Sequence, residues 1–303
     1  NQACIGHMLN GQPISCIQRP ETGRELTFSH LSPASKKKKI LVIGGGPAGM
    51  KATAVAASRG HSVKLIEATS KLGGQVNLAE RLPGRSEFGG ITTNLENILR
   101  TQDVEIKLNT EASLQLIREE TPEVIILATG GKSFEPKIEG KESAHVVTAW
   151  QLLEGKANVG SRVVIADWRC DWVGLGVAEL LARQGCHVRL ACNGMVPGQT
   201  INQYVRDNWL GTLHKLNVET LTHLRLRGVD SDDTYFQHTL SEQPVILNDV
   251  DTLVTAFGSE ATNTLEKDLR NKVQSELYVI GDALSPRSVE EAILDGLKTS
   301  AKI

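Results

Sequence analysis

The strongest constraint on the fold is a run of six residues, Gly44-Gly45-Gly46-Pro47-Ala48-Gly49, placed directly after the apolar stretch Ile40-Leu41-Val42-Ile43. The glycines follow the spacing Gly44-x-Gly46-x-x-Gly49, and an Ala-rich segment runs on to Arg59 and stops at Gly60. This order predicts strand, turn, helix and stop. Ser62–Glu67 reads as the next strand, so about thirty residues complete one βαβ crossover. Each glycine has its own physical reason. Gly44 permits a tight turn, Gly46 lets the backbone approach a pyrophosphate, and Gly49 allows close packing of helix on strand. The helix start then offers N–H groups and the positive end of its dipole to phosphate oxygens. Glu67, 18 residues beyond Gly49 at a strand end and followed by Ala68, is placed to accept a hydrogen bond from a ribose hydroxyl.

With 303 residues the chain has room for about two domains. A second βαβ pattern begins at Arg162–Ile165, continues through a helix near Val177–Gln184 and reaches a strand at His187–Ala191. Val124–Ala128, Asp251–Phe257 and Leu277–Ile280 read as buried strands, and Thr234–Leu240 as an antiparallel one. A last helix starts at about Ser288. The expected layout is α/β, with one dinucleotide-binding domain nested inside another. Residues 1–36 form an irregular leader and linker, 37–155 plus 250–303 the outer domain, and 156–249 the inner one.

Hydrophobic residues make up 40% and charged residues 22%, as in a soluble globular protein. A formal net charge of −2 gives no reason to expect a nucleic-acid or membrane partner. Lys36–Lys39 reads as a solvated linker. No apolar run approaches the roughly 18 residues of a membrane span, and no secretory signal is visible. Five cysteines without disulfide-like spacing favour a reducing compartment, hence the cytoplasm. The chain opens at Asn1 rather than Met, which suggests a piece of a longer polypeptide. There is no His-Glu-x-x-His, Gly-x-Ser-x-Gly or Cys-x-x-Cys. His61 and His187 begin matching strands and read as strand-edge residues. No catalytic side chain is assigned.

Three further pieces turn the first site toward a flavin. They are Leu72-Gly73-Gly74-Gln75, Ala128-Thr129-Gly130-Gly131 after a strand, and Tyr278-Val279-Ile280-Gly281-Asp282-Ala283. Together with the glycine turn they resemble the FAD domain of the glutathione-reductase-like flavoproteins, a fold of three-layer ββα domains. The resemblance implies that Asp282 reaches the ribityl and phosphate region of the flavin. The expected cofactor-binding set is Gly44, Gly46, Pro47, Ala48, Gly49, Glu67, Ala68, Gly74, Gln75, Ala128, Thr129, Gly130, Gly281 and Asp282.

The leader narrows the resemblance. Asn1-Gln2-Ala3-Cys4 and Gly11-Gln12-Pro13-Ile14-Ser15-Cys16-Ile17 resemble the cluster-binding region of the 2,4-dienoyl-CoA reductase and trimethylamine dehydrogenase family. Its members join an old-yellow-enzyme-type FMN barrel, absent from these residues, to a nucleotide-binding half, with a [4Fe–4S] cluster between them. Cys4 and Cys16 match the last two of its four metal-binding cysteines; soft thiolates suit such clusters. From the residues alone, these two would read as structural thiols.

The inner site departs from the pattern. In Ile165-Ala166-Asp167-Trp168-Arg169-Cys170-Asp171-Trp172-Val173-Gly174, Gly174 alone stands where the third glycine belongs. The Trp residues hinder backbone approach, and Asp167 and Asp171 would repel a pyrophosphate. Cys192-Asn193-Gly194 offers neither the acidic residue of an NAD site nor a basic pair for NADP. Cys170, Cys186 and Cys192 read as packing residues.

The resemblance therefore implies the FAD-binding, electron-transfer part of an FMN/[4Fe–4S]/FAD oxidoreductase among the NADH:flavin oxidoreductases. The N-methyl amine demethylase-like branch is favoured. It also implies partners, namely an FMN-containing barrel domain or subunit and an electron-transfer flavoprotein or ferredoxin-like acceptor, in an oligomer. Two alternatives stay open: an NAD(P)H-dependent enoate or 2,4-dienoyl-CoA reductase, and a non-catalytic scaffold or electron-transfer subunit that binds ADP instead of FAD.

Overall fold

The computed structural model describes residues 2–270 and 272–303; Asn1, the first residue of the leader motif, lies outside them. The chain divides into two compact units. Unit 1 comprises residues 1–77, 87–132 and 260–303, and unit 2 comprises 78–86 and 133–259.

Unit 1 is built on a parallel five-stranded sheet in the order Glu276–Val279, Val124–Leu127, Lys39–Ile43, Ser62–Ile66, Val104–Lys107. Strand alternation divides its core in two. Ile40, Val42, Val124 and Ile126 pack with Met50, Ala52, Leu95, Leu99 and Ile293, from the helices Pro47–Ser58, Gly89–Arg100 and Val289–Ser300. Leu41, Ile43, Ile125 and Leu127 pack on the other face with Ile117 and Leu269. The last helix is fixed at Ser288, whose hydroxyl caps it while Glu291 returns a capping-box bond. Gly296 lets that helix lie against Pro47–Ser58, since a Cβ there would stand 2.5 Å from the Ala48 carbonyl oxygen.

The leader is tied to this unit by charge. Lys51 is buried and paired with Glu21 at 2.6 Å. His7 Nε2 meets Glu290 at 3.2 Å, and Arg24 donates to the Ser15 hydroxyl at 2.6 Å. Burial pushes the Glu290 carboxyl above its ordinary pKa, and His7 opposes that shift. Within the basic run, Lys36 and Lys38 pair with Glu123 and Glu276 at 3.2 and 2.5 Å, and the Lys39 backbone N–H donates to Glu123. The run thus begins a strand whose neighbours supply carboxylates.

Unit 2 has a parallel sheet in the order Val146–Thr148, Thr252–Ala256, Arg162–Asp167, His187–Cys192, Glu219–Leu221. Val163 and Ile165 face the helices Trp172–Arg183 and Gln203–Lys215 through Leu175, Leu181, Trp209 and Leu213. Val164 and Ala166 face an antiparallel sheet, Leu224–Val229, Thr234–His238 and Pro244–Leu247, through Leu224, Leu226 and Phe236. Sheet, sheet and helices make the expected three layers.

Two strands differ from the sequence-based boundaries at 155/156 and 249/250. Val146–Thr148 and Thr252–Ala256 pair with each other and join the second sheet, with Leu253 opposite Val146. Short apolar strands look alike in sequence, and the pairing that assigns them to a sheet is long-range. Among the described residues, no helix is long and apolar enough to cross a membrane.

Candidate functional site

In unit 1 the glycine turn links the strand Lys39–Ile43 to the helix Pro47–Ser58, with Pro47 in the first turn where its missing N–H costs nothing. Gly44 has φ +108°, and a Cβ there would stand 2.2 Å from the Ala128 carbonyl oxygen. A Cβ on Gly49 would stand 1.9 Å from the Gly44 carbonyl oxygen. Gly46 differs: nothing lies within 4 Å of where its Cβ would be. Two glycines are therefore demanded by the protein's own packing, while the space beside the third is open at a helix N-terminus.

The other sequence pieces converge on this turn. The Gly73 N–H donates to the Gly45 carbonyl at 2.9 Å, and a Cβ on Gly74 would sit 3.1 Å from Gly46 Cα. Gly281 packs against Ala48, where an added Cβ would stand 2.9 Å from the alanine methyl. Gln75 Nε2 donates to Asp282 Oδ2 at 2.8 Å, and the Arg287 backbone N–H donates to Asp282 Oδ1 at 3.1 Å. A Cβ on Gly130 would stand 4.0 Å from Gln75 Nε2, and the Thr129 hydroxyl donates to the Thr262 carbonyl at 2.6 Å. Glu67 Oε2 accepts from the Gly45 N–H at 2.7 Å, while Oε1 accepts from both the N–H and the hydroxyl of Thr69 at 2.8 Å. Ala68, beside it, is exposed. All fourteen sequence-predicted positions belong to unit 1, and these contacts knit the turn, the Gly73–Gln75 segment and Gly281–Asp282 together.

Sequence reasoning missed Arg287 and Asp295. Asp295 accepts from the Gly281 N–H at 3.2 Å and pairs with Arg287, fixing the segment that carries Asp282. Their signal was present: Asp295 sits on a helix right after the Gly-Asp motif, but nothing in its spacing marks it.

An adenine dinucleotide fits this corner. Its phosphates need a glycine free of side-chain crowding at a helix start, and Gly46 supplies it. Cys4 and Cys16 lie on neighbouring segments of the leader. The Ser15 N–H donates to the Ala3 carbonyl at 2.8 Å, so the residues preceding the two cysteines are bonded and their segments run side by side. Both cysteines are partly exposed. Among the described residues, no group of three or more His, Cys, Asp or Glu side chains is arranged to hold a metal ion.

The corresponding corner of unit 2 is filled. Asp167, at the end of its strand, is fully buried. Its Oδ1 accepts from the Cys170 N–H at 2.8 Å, and its Oδ2 has no hydrogen-bond partner. Burial, then the charges of Asp171 and Cys170, hold the carboxyl well above the usual carboxylate range. A Cβ on Gly174 would stand 2.2 Å from Asp167 Oδ2. Gly174 thus makes room for Asp167 rather than for a ligand. Asp171 caps the helix Trp172–Arg183 by accepting from the Val173 N–H at 2.9 Å, occupying the place where a phosphate would bind. That cap explains why the helix begins at Trp172, earlier than the apolar pattern suggests. Trp168 stacks on Phe257 at 4.1 Å, and Trp172 carries the Arg85 guanidinium 3.9 Å above its ring. Asp167 therefore excludes a pyrophosphate by the volume it fills. A nicotinamide dinucleotide does not fit this corner.

Comparison with known proteins agrees with the fold. Residues 38–296 match the pyridine nucleotide-disulphide oxidoreductase family. The chain belongs to that family, and its relatives are those of the 2,4-dienoyl-CoA reductase and trimethylamine dehydrogenase group of flavin oxidoreductases. It is 30% identical to an N,N-dimethylglycine/sarcosine dehydrogenase of Chromohalobacter salexigens, with 97% of the chain and 48% of the relative aligned. It is 32% identical to a metal reductase of Desulforamulus reducens over the same shares, 97% and 48%. The structure of a 2-naphthoyl-CoA reductase complex superposes with a TM-score of 0.92 at 32% identity, covering 100% of the chain and 46% of that protein. The chain spans about half the length of these relatives. It is an oxidoreductase domain of the flavin- and nucleotide-binding type, with two nested Rossmann-like domains.

Proposed function

We propose that the chain is the FAD-binding, electron-transfer part of a multi-cofactor flavin oxidoreductase of the amine dehydrogenase or demethylase kind. The observation that carries this reading is the contrast between the two corners. Gly46 faces open space at its helix start, whereas Asp167 and Asp171 fill and cap the equivalent start in unit 2. Such a chain takes a flavin nucleotide but is not reduced by NADH or NADPH. The relative named as a dimethylglycine/sarcosine dehydrogenase supports an amine substrate for the whole protein.

In this reading Gly44, Gly46, Pro47, Ala48 and Gly49 hold the pyrophosphate, Glu67 and Ala68 border the adenosine ribose, and Gly74, Gln75, Ala128, Thr129, Gly130, Gly281 and Asp282 line the flavin side. When bound, FAD supplies reversible uptake of electrons, and the protein supplies binding and orientation. Gln75 and Arg287 orient the Asp282 carboxylate. Cys4 and Cys16 would hold one half of a [4Fe–4S] cluster, the other thiolates coming from residues beyond these. FMN belongs to a barrel domain or subunit, and an electron-transfer flavoprotein or ferredoxin-like protein takes the electrons. The protein works in the cytoplasm as an oligomer.

The test is to release the bound nucleotide from gently purified protein, identify it by mass spectrometry, and follow flavin absorbance in a stopped-flow apparatus. FAD and no bleaching by NADPH are expected. ADP would move the reading to a non-catalytic scaffold, and rapid bleaching would establish instead the NAD(P)H-dependent reductase reading. The latter draws on the likeness to the 2-naphthoyl-CoA reductase.

A further inference from the structure

Residues 78–86 interrupt unit 1 in sequence and belong to unit 2. This strap is anchored along its length. Arg81 donates to the Leu153 carbonyl, and Leu82 is buried in the core of the unit. Gly176 makes room for Leu82, since a Cβ there would stand 2.8 Å from its Cδ2. Arg85 places its guanidinium 3.9 Å from the centre of the Trp172 ring and 4.8 Å from that of Trp209. Between these anchors Pro83 and Gly84, the latter at φ +66°, line a cleft of about 460 Å³. Small-molecule sites span about 300–1,000 Å³. Neither the glycine turn of unit 1 nor the filled corner of unit 2 contributes a lining residue.

Helix periodicity builds the remaining walls. Trp172, Glu179 and Arg183 stand at i, i+7 and i+11 on the helix Trp172–Arg183, and Val205, Trp209 and Thr212 at i, i+4 and i+7 on Gln203–Lys215. The two faces are joined by a polar bond and by rings. Trp209 Nε1 donates to Glu179 Oε2 at 2.7 Å, and the Trp172 and Trp209 rings lie 5.8 Å apart. Glu179 is buried, and its other oxygen, Oε1, accepts from Arg183 Nε at 2.8 Å and Nη2 at 2.7 Å. Each carboxylate oxygen therefore has a donor within the protein.

We propose that this cleft binds a small organic anion, whose carboxylate or phosphate head is held by the Arg85 and Arg183 guanidiniums and whose body lies against Val205 and Pro83. The charges of the lining carry this assignment. Arg85 and Arg183 bring two positive charges, and Glu179 brings one negative charge that is already committed to Trp209 and Arg183. The cleft is left positive. A planar guanidinium presents its N–H groups as a fork that matches the oxygens of a carboxylate or a phosphate.

The cleft is also preorganised. Stacking on two indoles and the bond of Arg81 to Leu153 fix the strap, so little side-chain entropy remains for Arg85 to lose when an anion arrives. Arg183 is fixed in turn by its ion pair with Glu179. Asn208 and Thr212 add an amide and a hydroxyl to the lining. Arg183 and Asn208 are exposed, so the site opens to solvent and binding weakens as salt rises.

The experiment follows hydrogen exchange in the purified protein as succinate or glycerol 3-phosphate is added. Slower exchange in residues 78–86 and in the helix Gln203–Lys215 is expected, and the anion that produces it identifies the head group. The probes are used at about 10 mM, where a site of millimolar affinity is mostly filled. No slowing in these segments with either anion, or slowing confined to residues 44–49, overturns the proposal. Two substitutions then separate the site from the fold. Asn208→Asp exchanges an amide for a carboxylate of the same shape at an exposed position, so melting should stay within about 2 °C while anion affinity falls about tenfold or more. Arg85→Ala removes one of the two cations and should abolish the slowing. Unchanged affinity in Asn208→Asp, or unchanged slowing in Arg85→Ala, would overturn the assignment.

Discussion

Gln75 and Asp282 are separated by 207 positions in sequence, yet Gln75 Nε2 donates to Asp282 Oδ2 at 2.8 Å. One residue follows the paired glycines Gly73-Gly74, and the other follows Gly281 at the end of the sheet's last strand. The bond joins the pieces that distinguish a flavin site from a bare dinucleotide turn. Replacing Asp282→Ala removes the acceptor of Gln75 and of the Arg287 N–H while leaving the core intact. Nucleotide affinity should fall about tenfold or more, since each tenfold is about 1.4 kcal/mol. Gln75→Leu, which keeps the carboxylate, should cost less. The flavin-to-protein absorbance ratio after exhaustive dialysis measures both, and full occupancy in Asp282→Ala would sink the assignment.

The glycines of the turn should separate into two classes. Gly46→Ala adds a methyl where nothing lies within 4 Å, so melting should move by no more than about 2 °C while nucleotide occupancy drops. Gly49→Ala places a Cβ 1.9 Å from the Gly44 carbonyl oxygen and should destabilise unit 1 by about 2–4 kcal/mol. Thermal melts of the nucleotide-free proteins, read beside binding isotherms, distinguish these outcomes. Similar losses of stability in both variants would mean that Gly46 serves packing as well.

The sequence made the first corner readable because its glycines, its Glu67 and its Gly281-Asp282 each answer a local demand: a positive φ, a strand end, a helix start. Gly44 at φ +108° and Gly281 at φ +61° are such cases. The second corner was readable as altered, but not how. That the Asp167 carboxyl is held above its usual range depends on its burial, and its burial depends on Gly174 and the neighbouring strand. The assignment of Thr252–Ala256 to the second sheet likewise depends on pairing with residues about a hundred positions away. Local pattern carries turns and helix starts; strand partners and buried charge states are set by tertiary contacts.

The leader depends on Lys51, which is buried on the helix Pro47–Ser58 and meets Glu21 at 2.6 Å. Glu21→Gln keeps the shape but removes the charge that balances a buried ammonium group. A loss of about 1–3 kcal/mol in the local opening of the leader is expected. Hydrogen exchange should quicken in residues 2–36 and remain unchanged in the strand Ser62–Ile66. Unchanged leader protection would mean that His7–Glu290 and Arg24–Ser15 suffice to hold it.

Asp167 should give unit 2 a pH dependence opposite to that of a salt-bridged carboxylate. Its folded-state pKa lies above its unfolded value because burial disfavours the ion, with Asp171 and Cys170 adding to the effect. A raised group contributes its stability fully below the unfolded pKa, near 4, and loses it as pH rises toward the folded value. Unit 2 should therefore become less stable from about pH 4 upward through the neutral range. Asp167→Asn keeps an oxygen to accept from the Cys170 N–H and cannot ionise, so it removes this part of the slope. At pH 7 to 8 the variant should melt higher than wild type, by about 1 kcal/mol or more, and the two should converge near pH 4. Melts across pH 4 to 8 decide the matter. A variant curve parallel to wild type would show that Asp167 does not carry the proton assigned to it.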